Sequence, residues 1–169
     1  YQILAKDDFE SKLKMEFPVV LKQGQGQGGK DIKVAESLDD VKEYFEEFDH
    51  ALCEKFIEGS EISIEVLGYN GEYVPLSPMY KGETTLEGIH PLNKIKTAPC
   101  LVEGLDNNLV QRTAYKVAKN LGSDGIFEMD FMFSKDEQQL YAIEVNTRPN
   151  GTRYLTTATC GVNSLCELV

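Results

Sequence analysis

The segment 127–148 alternates apolar side chains with oxygen-bearing ones in two short runs, a pattern typical of adjacent antiparallel strands. In Phe127–Phe133, side chains point alternately to the two faces of the strand, so Glu128 and Asp130 share one face. The apolar residues predicted to share the other face are Phe127, Met129, Phe131 and Phe133. The two acids of this strand are therefore set apart from its apolar side.

The second run, Leu140–Asn146, follows a charged and polar stretch at 134–138 that is typical of a solvated hairpin turn. The residues predicted to share one of its faces are Ala142, Glu144 and Asn146. In the simple hairpin register, Asp130 and Glu144 lie close enough to repel strongly unless a cation is between them. Two carboxylates and an amide oxygen suit Mg²⁺, which takes hard oxygen ligands. The alternative is a pair of exposed acids on a strand.

A glycine-rich turn follows the predicted strand Phe17–Lys22. Four of the eight residues in Gln23–Lys30 are glycine, including the pair Gly28 and Gly29. Glycine lets backbone N–H groups approach an anion closely, and a flanking lysine compensates the charge, so the turn is predicted to cover phosphates. It matches neither the P-loop nor the dinucleotide fingerprint, because another strand, Asp31–Ala35, is predicted next. The alternative is an ordinary flexible hairpin tip.

Residues 51–66 predict a short strand, a turn at Gly59 and a second strand that begins at Glu61. A linker of this kind between two lobes can present backbone groups to an adenine edge. Glu54 is placed to accept a hydrogen bond from the exocyclic amine, and Glu61 to reach ribose hydroxyls. The residues expected to give apolar contact are Phe56 and Ile57. The alternative is a strand and a turn with solvated charges.

Together these three elements resemble the ATP-grasp superfamily over nearly the whole chain, and most of all the large subunits of carbamoyl-phosphate synthases. Four spacings carry the resemblance. They join Lys22 to Gly28-Gly29 over six residues, Glu54 to Glu61 over seven, Gly88-Ile89-His90 to Ala98-Pro99 over eight, and Asp130 to Glu144 over fourteen. The last acid also opens a Glu-x-Asn-x-Arg motif that ends at Arg148.

The resemblance implies an α+β protein with the ATP-grasp fold, in which two small α+β lobes with mainly antiparallel sheets clasp ATP between them. The N-terminal lobe, with the glycine-rich flap, is expected at 1–57, and the C-terminal lobe, with the metal site, at 58–169. The full enzymes carry further domains on both sides of this region. Flanking domains of a larger protein are therefore expected to be missing from this chain.

Each site residue receives a role from the resemblance. The residues implied in nucleotide binding are Lys22, Gly28, Gly29, Lys30, Glu54, Lys55, Phe56, Ile57, Glu61 and Met132. Lys22 and Lys30 would hold phosphates, and Met132 would lie against the adenine ring. The ligands implied for one or two Mg²⁺ ions, with Mn²⁺ as an alternative, are Asp130, Glu144 and Asn146. The catalytic residues implied are Arg148, Asn146 and His90, with Arg148 stabilising the transferring phosphoryl group.

The activity implied is that of an ATP- and Mg²⁺-dependent ligase. A carboxylate or bicarbonate would attack the γ-phosphate, and an amine or ammonia would then displace phosphate from the mixed anhydride. This chemistry needs cations around developing phosphate charge rather than a protein nucleophile. No Ser/His/Asp or Cys/His arrangement in the sequence competes with it. The resemblance leaves open whether ammonia comes from a glutaminase partner.

Departures from the synthase pattern leave the substrates open. Residues 91–94 read Pro-Leu-Asn-Lys where the synthases continue Thr-Gly-Asp-Ser, and 149–153 replace a stretch rich in Ser and Arg. Asp31 stands where many relatives carry glycine. The alternatives within the superfamily are amino-acid ligases and carboxylases similar to carboxyaminoimidazole ribonucleotide synthetase or biotin carboxylase. An alternative of another class is a non-catalytic ATP-sensing module.

Composition excludes several other classes. The net charge of −11 argues against a nucleic-acid partner, because phosphate binding needs a basic surface. No run is long and apolar enough to span a membrane. Cysteine spacing argues against zinc and for buried, reduced thiols in a cytoplasmic protein, because no Cys-x-x-Cys occurs. The cysteines are Cys53, Cys100, Cys160 and Cys166.

The remaining patterns predict three helices, at Asp7–Met15, Ser37–Asp49 and Asp106–Leu121. In the second helix, Ser37 is the predicted N-cap, with Asp40 three residues later. Its predicted buried residues are Val41, Tyr44, Phe45 and Phe48. Those of the third helix are Leu109, Val110, Ala114, Val117 and Leu121.

Three further stretches are assigned from local signals. Asn70-Gly71 predicts a two-residue hairpin turn, because both positions of that turn need positive φ. Residues 80–92 lack periodicity and are predicted to form a substrate-side loop, from which Lys81 and His90 could reach the acceptor. Residues 154–169 are predicted to begin as a loop and close with a helix.

Overall fold

The computed structural model describes residues 1–24, 31–84, 86, 94–149 and 151–167. Apart from Leu86, which groups with the first, these residues fall into two compact units that divide between Ile57 and Glu58. Each unit has its own sheet and its own hydrophobic core. None of the described helices is long and apolar enough to cross a membrane.

Within the described residues, the first unit is a four-stranded antiparallel sheet with two helices. Its strands are β1 (Gln2–Ala5), β2 (Val19–Lys22), β3 (Lys33–Ala35) and β4 (His50–Lys55), in the order β1-β4-β2-β3. Its helices are α1 (Phe9–Lys12) and α2 (Leu38–Glu47). The predicted first helix was too long, since α1 has a single turn that buries only Phe9. The strand predicted to end at Lys22 is confirmed.

Helix α2 has the cap and the buried side that the sequence predicts. Ser37 and Asp40 form a capping box, in which each side chain binds a backbone N–H of the other residue. Its buried residues are Val41, Tyr44 and Phe45. Phe48, which follows the helix, is partly buried against the same core. The sheet side of this core contributes Leu4, Val19, Leu21, Ala35, Ala51 and Cys53.

The described part of the second unit is a five-stranded antiparallel sheet with three helices. Its strands are β5 (Gly59–Tyr69), β6 (Glu72–Pro75), β7 (Met79–Thr84), β8 (Gly125–Ser134) and β9 (Gln139–Asn146). The order is β6-β5-β8-β9, and β7 also pairs with β5. Its helices are α3 (Asn107–Leu121), α4 (Arg153–Cys160) and α5 (Ser164–Glu167). The predicted α+β class with antiparallel sheets is confirmed.

Two predicted hairpins are confirmed. Asn70 and Gly71 have φ values of 52° and 82°, and Tyr69 pairs with Glu72, as in a type I′ turn. Strands β8 and β9 are joined by the polar stretch 135–138, with Ser134 opposite Gln139. The second hairpin carries the predicted metal ligands, so its register decides which of them meet.

Helix α3 covers the apolar side of the second sheet. Asp106 caps its N-terminus, and Gly122 ends it with a φ of 65°. Val110 and Ala114 are buried as predicted, but Leu109 and Leu121 are 37% and 51% exposed. Ala118 is the third buried residue of α3. The buried face of this helix is therefore narrower than the apolar stripe predicted from its sequence.

Several other expectations were wrong. Residues 80–84 belong to β7 rather than to a loop, and Arg153–Cys160 is helical where a loop was predicted. Gly59 opens β5 instead of forming a separate turn. Of the four cysteines, Cys53 and Cys100 are buried, whereas Cys160 and Cys166 are exposed.

Candidate functional site

Strands β5 and β8 pair along their length and give the second sheet two different faces. On one face Ile62, Ile64 and Val66 lie opposite Phe131, Met129 and Phe127, and all of them belong to the core under α3. On the other face Glu61, Ser63 and Glu65 lie opposite Met132, Asp130 and Glu128. We call Glu61, Ser63, Glu65, Glu128 and Asp130 the acidic face. Asp130 is only 4% exposed and Glu65 1%, so this polar surface is largely buried.

The observed hairpin register places the metal-ligand candidates together. Asp130 is the cross-strand partner of Glu144, and Glu128 that of Asn146. The Asn146 side-chain amide donates a hydrogen bond to Glu144 Oε1 at 2.9 Å. This amide donor is therefore directed at Glu144, which leaves the Asn146 side-chain oxygen as its metal-binding atom.

A bulge in β9 overturns one part of the prediction. The register shifts between Asp130 and Phe131, so Ala142 pairs with Phe131 while Glu144 pairs with Asp130. Ile143 is the extra residue. Because paired residues lie on the same side of a sheet, Ala142 is on the apolar side and does not share a face with Glu144.

Lys81 lies in the middle of the acidic face. Its Nζ is 2.7 Å from Asp130 Oδ2, 3.2 Å from Glu61 Oε1 and 4.0 Å from Glu128 Oε1. The Glu128 carboxylate also accepts a short hydrogen bond from the Ser63 hydroxyl. The predicted ribose ligand and the predicted metal ligand are thus joined through one ammonium group.

A second lysine binds the other end of Glu61. Lys94 Nζ donates to Glu61 Oε2 at 2.9 Å and to Thr84 Oγ1 at 2.9 Å. Its aliphatic chain runs close to Gly82, where an added Cβ would come within 3.0 Å of it. Gly82 also has a φ of 107°, so both the backbone conformation and the approach of Lys94 favour glycine there.

Burial and charge set the protonation of this cluster. Burial raises the pKa of Asp130 to about 7; the Glu128 and Glu61 carboxylates act in the same direction, and the Lys81 ammonium opposes them. Burial also disfavours the charged form of Glu61, but Lys81 and Lys94 outweigh it and lower the Glu61 pKa. For Lys81, desolvation is outweighed by Asp130 and Glu61, which raise the pKa. Lys81 is therefore a cation throughout the neutral range.

The acidic residues fit a magnesium ion. Asp130 Oδ1 is buried and has no hydrogen-bond partner among the residues that the structure describes. Asp130, Glu144 and Asn146 together offer hard oxygen atoms. Within the described ranges, no three His, Cys, Asp or Glu side chains form a group that could hold a metal. Water and substrate phosphates would thus complete the coordination shell, as is usual for Mg²⁺.

The first unit pairs two of its predicted ligands with each other. Lys22 Nζ is 2.7 Å from Glu54 Oε2 across β2 and β4, and both side chains are partly buried. Phe56 is buried, whereas Lys55 is exposed. The lysine expected to hold phosphate and the acid expected to read adenine therefore neutralise one another here.

The remaining predicted residues give less information. Arg148 is exposed and follows β9 by two residues. Met132 is 7% exposed and pairs with Glu61 across β5 and β8, which places the two predicted nucleoside contacts side by side. The predicted site residues that lie outside the described residues are Gly28, Gly29, Lys30 and His90.

Sequence reasoning missed most of the support around these ligands. It treated Lys81 as a loop residue and gave no role to Ser63, Glu65 or Lys94. A signal was present, because Glu61, Ser63 and Glu65 alternate with Ile62 and Ile64 in a strand pattern whose polar side is as regular as its apolar side. The glycine after Lys81 was a second signal, since glycine inside a strand often marks a bulge.

Comparison with known proteins gives a consistent result. A family model described as an ATP-grasp domain matches residues 5–152. A carbamoyl-phosphate synthase of Methanobrevibacter smithii is 99% identical over all 169 residues, which make up 46% of its length. The chain therefore spans about half of this relative. These matches confirm the resemblance found in the sequence.

Solved structures with this fold include two biotin carboxylases. The Campylobacter jejuni enzyme, in complex with β,γ-ATP, has a TM-score of 0.75 and 23% identity, covering 90% of this chain and 36% of its own. The second is the biotin carboxylase domain of the Hydrogenobacter thermophilus 2-oxoglutarate carboxylase, solved with MgADP, ADP and bicarbonate. It has a TM-score of 0.74 and 24% identity, and the match covers 95% of this chain and 36% of that one. Likeness at this identity establishes the fold.

Proposed function

Because the chain belongs to the ATP-grasp family, we propose that it is the ATP- and Mg²⁺-dependent ligase domain of a larger protein. In this proposal it phosphorylates a carboxylate or bicarbonate, and an amine or ammonia then attacks the activated product. The observation that carries the proposal is the pairing of Asp130 with Glu144, which holds Asn146 by a 2.9 Å hydrogen bond. Two acids face each other on this sheet, and Asp130 Oδ1 is buried with no hydrogen-bond partner among the described residues. This arrangement suits a divalent cation.

Each unit supplies its own set of residues in this proposal. In the second unit, Asp130, Glu144 and Asn146 hold the metal, which neutralises phosphate charge when it is bound. Glu61 binds the ribose and Met132 contacts the adenine. In the first unit, Lys22 exchanges Glu54 for a phosphate, which frees Glu54 to accept from the adenine amine.

The reaction proceeds by two displacements. A substrate carboxylate oxygen forms a bond to the γ-phosphorus while the bond to the ADP oxygen breaks, and Arg148 stabilises the charge on the transferring group. The amine nitrogen then attacks the carbonyl carbon of the acyl-phosphate, inorganic phosphate leaves, and the nitrogen loses a proton. His90 contributes to acceptor positioning in this proposal.

Bicarbonate is our first substrate candidate. The identity of 99% with a carbamoyl-phosphate synthase supports it. So does the bicarbonate named with the structurally similar Hydrogenobacter carboxylase domain. Ammonia from a glutaminase partner, a cytoplasmic location and tolerance of Mn²⁺ in place of Mg²⁺ belong to the same proposal.

Calorimetry with a non-hydrolysable ATP analogue, with and without Mg²⁺, tests the proposal. We expect Mg²⁺-dependent binding to the wild-type chain and at least a tenfold weaker affinity in Glu144→Gln, because the metal loses a charged ligand. In the full-length protein, Glu144→Gln should also abolish ATP turnover with bicarbonate and ammonia.

The matched control is Asp136→Asn, which removes an acid from the exposed turn of the same hairpin. It should bind the analogue like the wild type. Equal affinities in Glu144→Gln, Asp136→Asn and wild-type protein would remove Glu144 from the site. Turnover that survives Glu144→Gln in the full-length protein would refute its assignment as a metal ligand.

A further inference from the structure

The acidic face concentrates negative charge where water has little access. Four carboxylates, Glu61, Glu65, Glu128 and Asp130, lie on two neighbouring strands, and three of them lie within 4.0 Å of the Lys81 ammonium. The Lys81 side chain is itself only 14% exposed. Buried charges of one sign are costly unless opposite charge lies among them. Lys81 supplies that charge from within the protein.

The pairing of β7 with β5 fixes the position of Lys81 in the sheet. Glu61 pairs with Gly82 and Ile62 with Tyr80, so Lys81 is the extra residue of a bulge. Tyr80 packs against the apolar core, and because side chains alternate along a strand, Lys81 points to the opposite face of the sheet. The position of Lys81 is thus a property of the strand pairing and not of a mobile surface side chain.

The two oxygens of Asp130 have different environments. Oδ2 receives a hydrogen bond from Lys81 at 2.7 Å. Oδ1 is buried and makes no hydrogen bond within the described part of the chain. A carboxylate held in this way presents one oxygen to a metal and keeps the other for the lysine.

We propose that Lys81 is a positioning residue that acts as the resident cation of the metal site. It orients Asp130 and opposes the entry of a free divalent ion, so that the ion binds well only together with the nucleotide polyphosphate. This inference rests on the proposed function, since it assumes that Asp130 and Glu144 hold the metal of an ATP complex.

The electrostatic argument has a definite sign. A positive charge beside Asp130 repels a divalent cation at the neighbouring oxygen, and in a partly buried site this repulsion is only weakly screened. Bound nucleotide phosphates restore negative charge and attract the ion again. Removal of the Lys81 charge should therefore tighten the binding of free metal, whereas loss of a merely structural contact should weaken it or leave it unchanged.

The test is to measure Mn²⁺ binding, by calorimetry and by electron paramagnetic resonance, with no nucleotide present. We expect Lys81→Met to bind Mn²⁺ about tenfold more tightly than the wild type, in line with the loss of one nearby charge. The added affinity for Mn²⁺ that an ATP analogue confers should shrink accordingly. Lys81→Arg keeps the charge and should behave like the wild type.

The control is Lys135→Met, which removes a lysine that is 52% exposed in the β8–β9 turn, 3.6 Å from Glu83. It should leave Mn²⁺ affinity unchanged. A folded Lys81→Met variant that binds Mn²⁺ no more tightly than the wild type would overturn the inference. Equal tightening in Lys81→Arg would also overturn it, because the charge would then be irrelevant.

Lys81→Gln is the second variant if Lys81→Met does not fold, and its expected outcome is the same. If neither folds, the wild type alone decides, because the inference requires Mn²⁺ to bind at least tenfold more tightly with the ATP analogue than without it. Equally tight binding in both conditions would overturn the inference. Absence of any Mg²⁺-dependent nucleotide binding in the wild type would instead refute the proposed function.

Discussion

The two faces of the β5–β8 pair differ in what their side chains do. On the face under α3, each of Ile62, Ile64, Met129 and Phe131 is at most 1% exposed and packs against other apolar groups. On the opposite face, Glu65, Glu128 and Asp130 are at most 5% exposed, yet they are ionisable. The same backbone therefore supports a surface that stabilises the fold and one that holds concentrated charge.

The difference shows how the unit separates stability from chemistry. Burial of apolar surface contributes roughly 25 cal/mol per Å² to the free energy of folding, and this contribution does not depend on which side chains are ionised. Buried carboxylates contribute little or oppose folding unless each has a hydrogen bond or a counter-ion. Changes to the apolar face should thus lower stability sharply, whereas changes to the acidic face should produce smaller effects that depend on pH and on partners.

The largest effect should come from Phe131→Ala on the apolar face. Phe131 is 1% exposed, so its loss leaves a cavity in the core, and we expect the free energy of unfolding to fall by about 3–5 kcal/mol. Urea denaturation followed by circular dichroism measures this change. Val74→Ala, at a residue that is 56% exposed on β6, is the control and should stay within about 0.5 kcal/mol.

A loss close to that of the control would mean that Phe131 is not part of a well-packed core. The contrast between the two faces would then disappear.

An intermediate effect should come from Ser63→Ala on the acidic face. Ser63 is fully buried and donates to Glu128, so its removal leaves a buried carboxylate short of a partner and should cost about 1–3 kcal/mol. The double variant Ser63→Ala/Glu128→Gln should recover part of this loss, because it removes the charge that needs the donor. Additive losses in the double-mutant cycle would show that the two side chains do not interact.

The smallest effect, and the one most specific to the acidic face, should be a pH-dependent gain of stability in Glu65→Gln. Burial and the Glu128 charge on β8 raise the pKa of Glu65 above its ordinary value of 4.5, while the Ser164 hydroxyl and the Arg153 charge oppose the shift. The folded chain therefore keeps a proton that the unfolded chain has released, and stability is lost as pH rises through the folded-state pKa.

Glutamine does not titrate, so Glu65→Gln should exceed the wild type by about 1 kcal/mol at pH 8 and by less at pH 5. Urea midpoints at the two pH values measure the difference. Glu72→Gln, which removes an exposed acid from β6, controls for the loss of one charge. A gain that is larger at pH 5 than at pH 8 would contradict the assigned direction of the shift.

Local signals predicted the regular parts of the fold well. The capping box of Ser37 and Asp40 and the turn at Asn70 and Gly71 both follow from preferences that act within a few residues. The spacing of the site residues also identified the family, because distances along the chain can be read from the sequence without coordinates.

Irregularities were not predictable in the same way. A bulge shifts the alternation of a strand by one residue, which moved Ala142 to the apolar side. Lys81 was missed for a different reason, since residues 80–84 lack a strand pattern but pair with β5 as β7. The helix Arg153–Cys160 was missed because its threonines, at 156, 157 and 159, and Cys160 are weak helix formers. Packing of the buried Thr156 overrides this preference.

The amino-acid sequence alone determined the class of the fold and the family, because these depend on alternation and on spacing. Only the tertiary structure decided which charges neutralise one another. Lys22 pairs with Glu54, and Lys81 with Asp130 and Glu61, through contacts between residues up to 49 positions apart. Such contacts depend on strand order and bulges, and no local pattern in the chain encodes them.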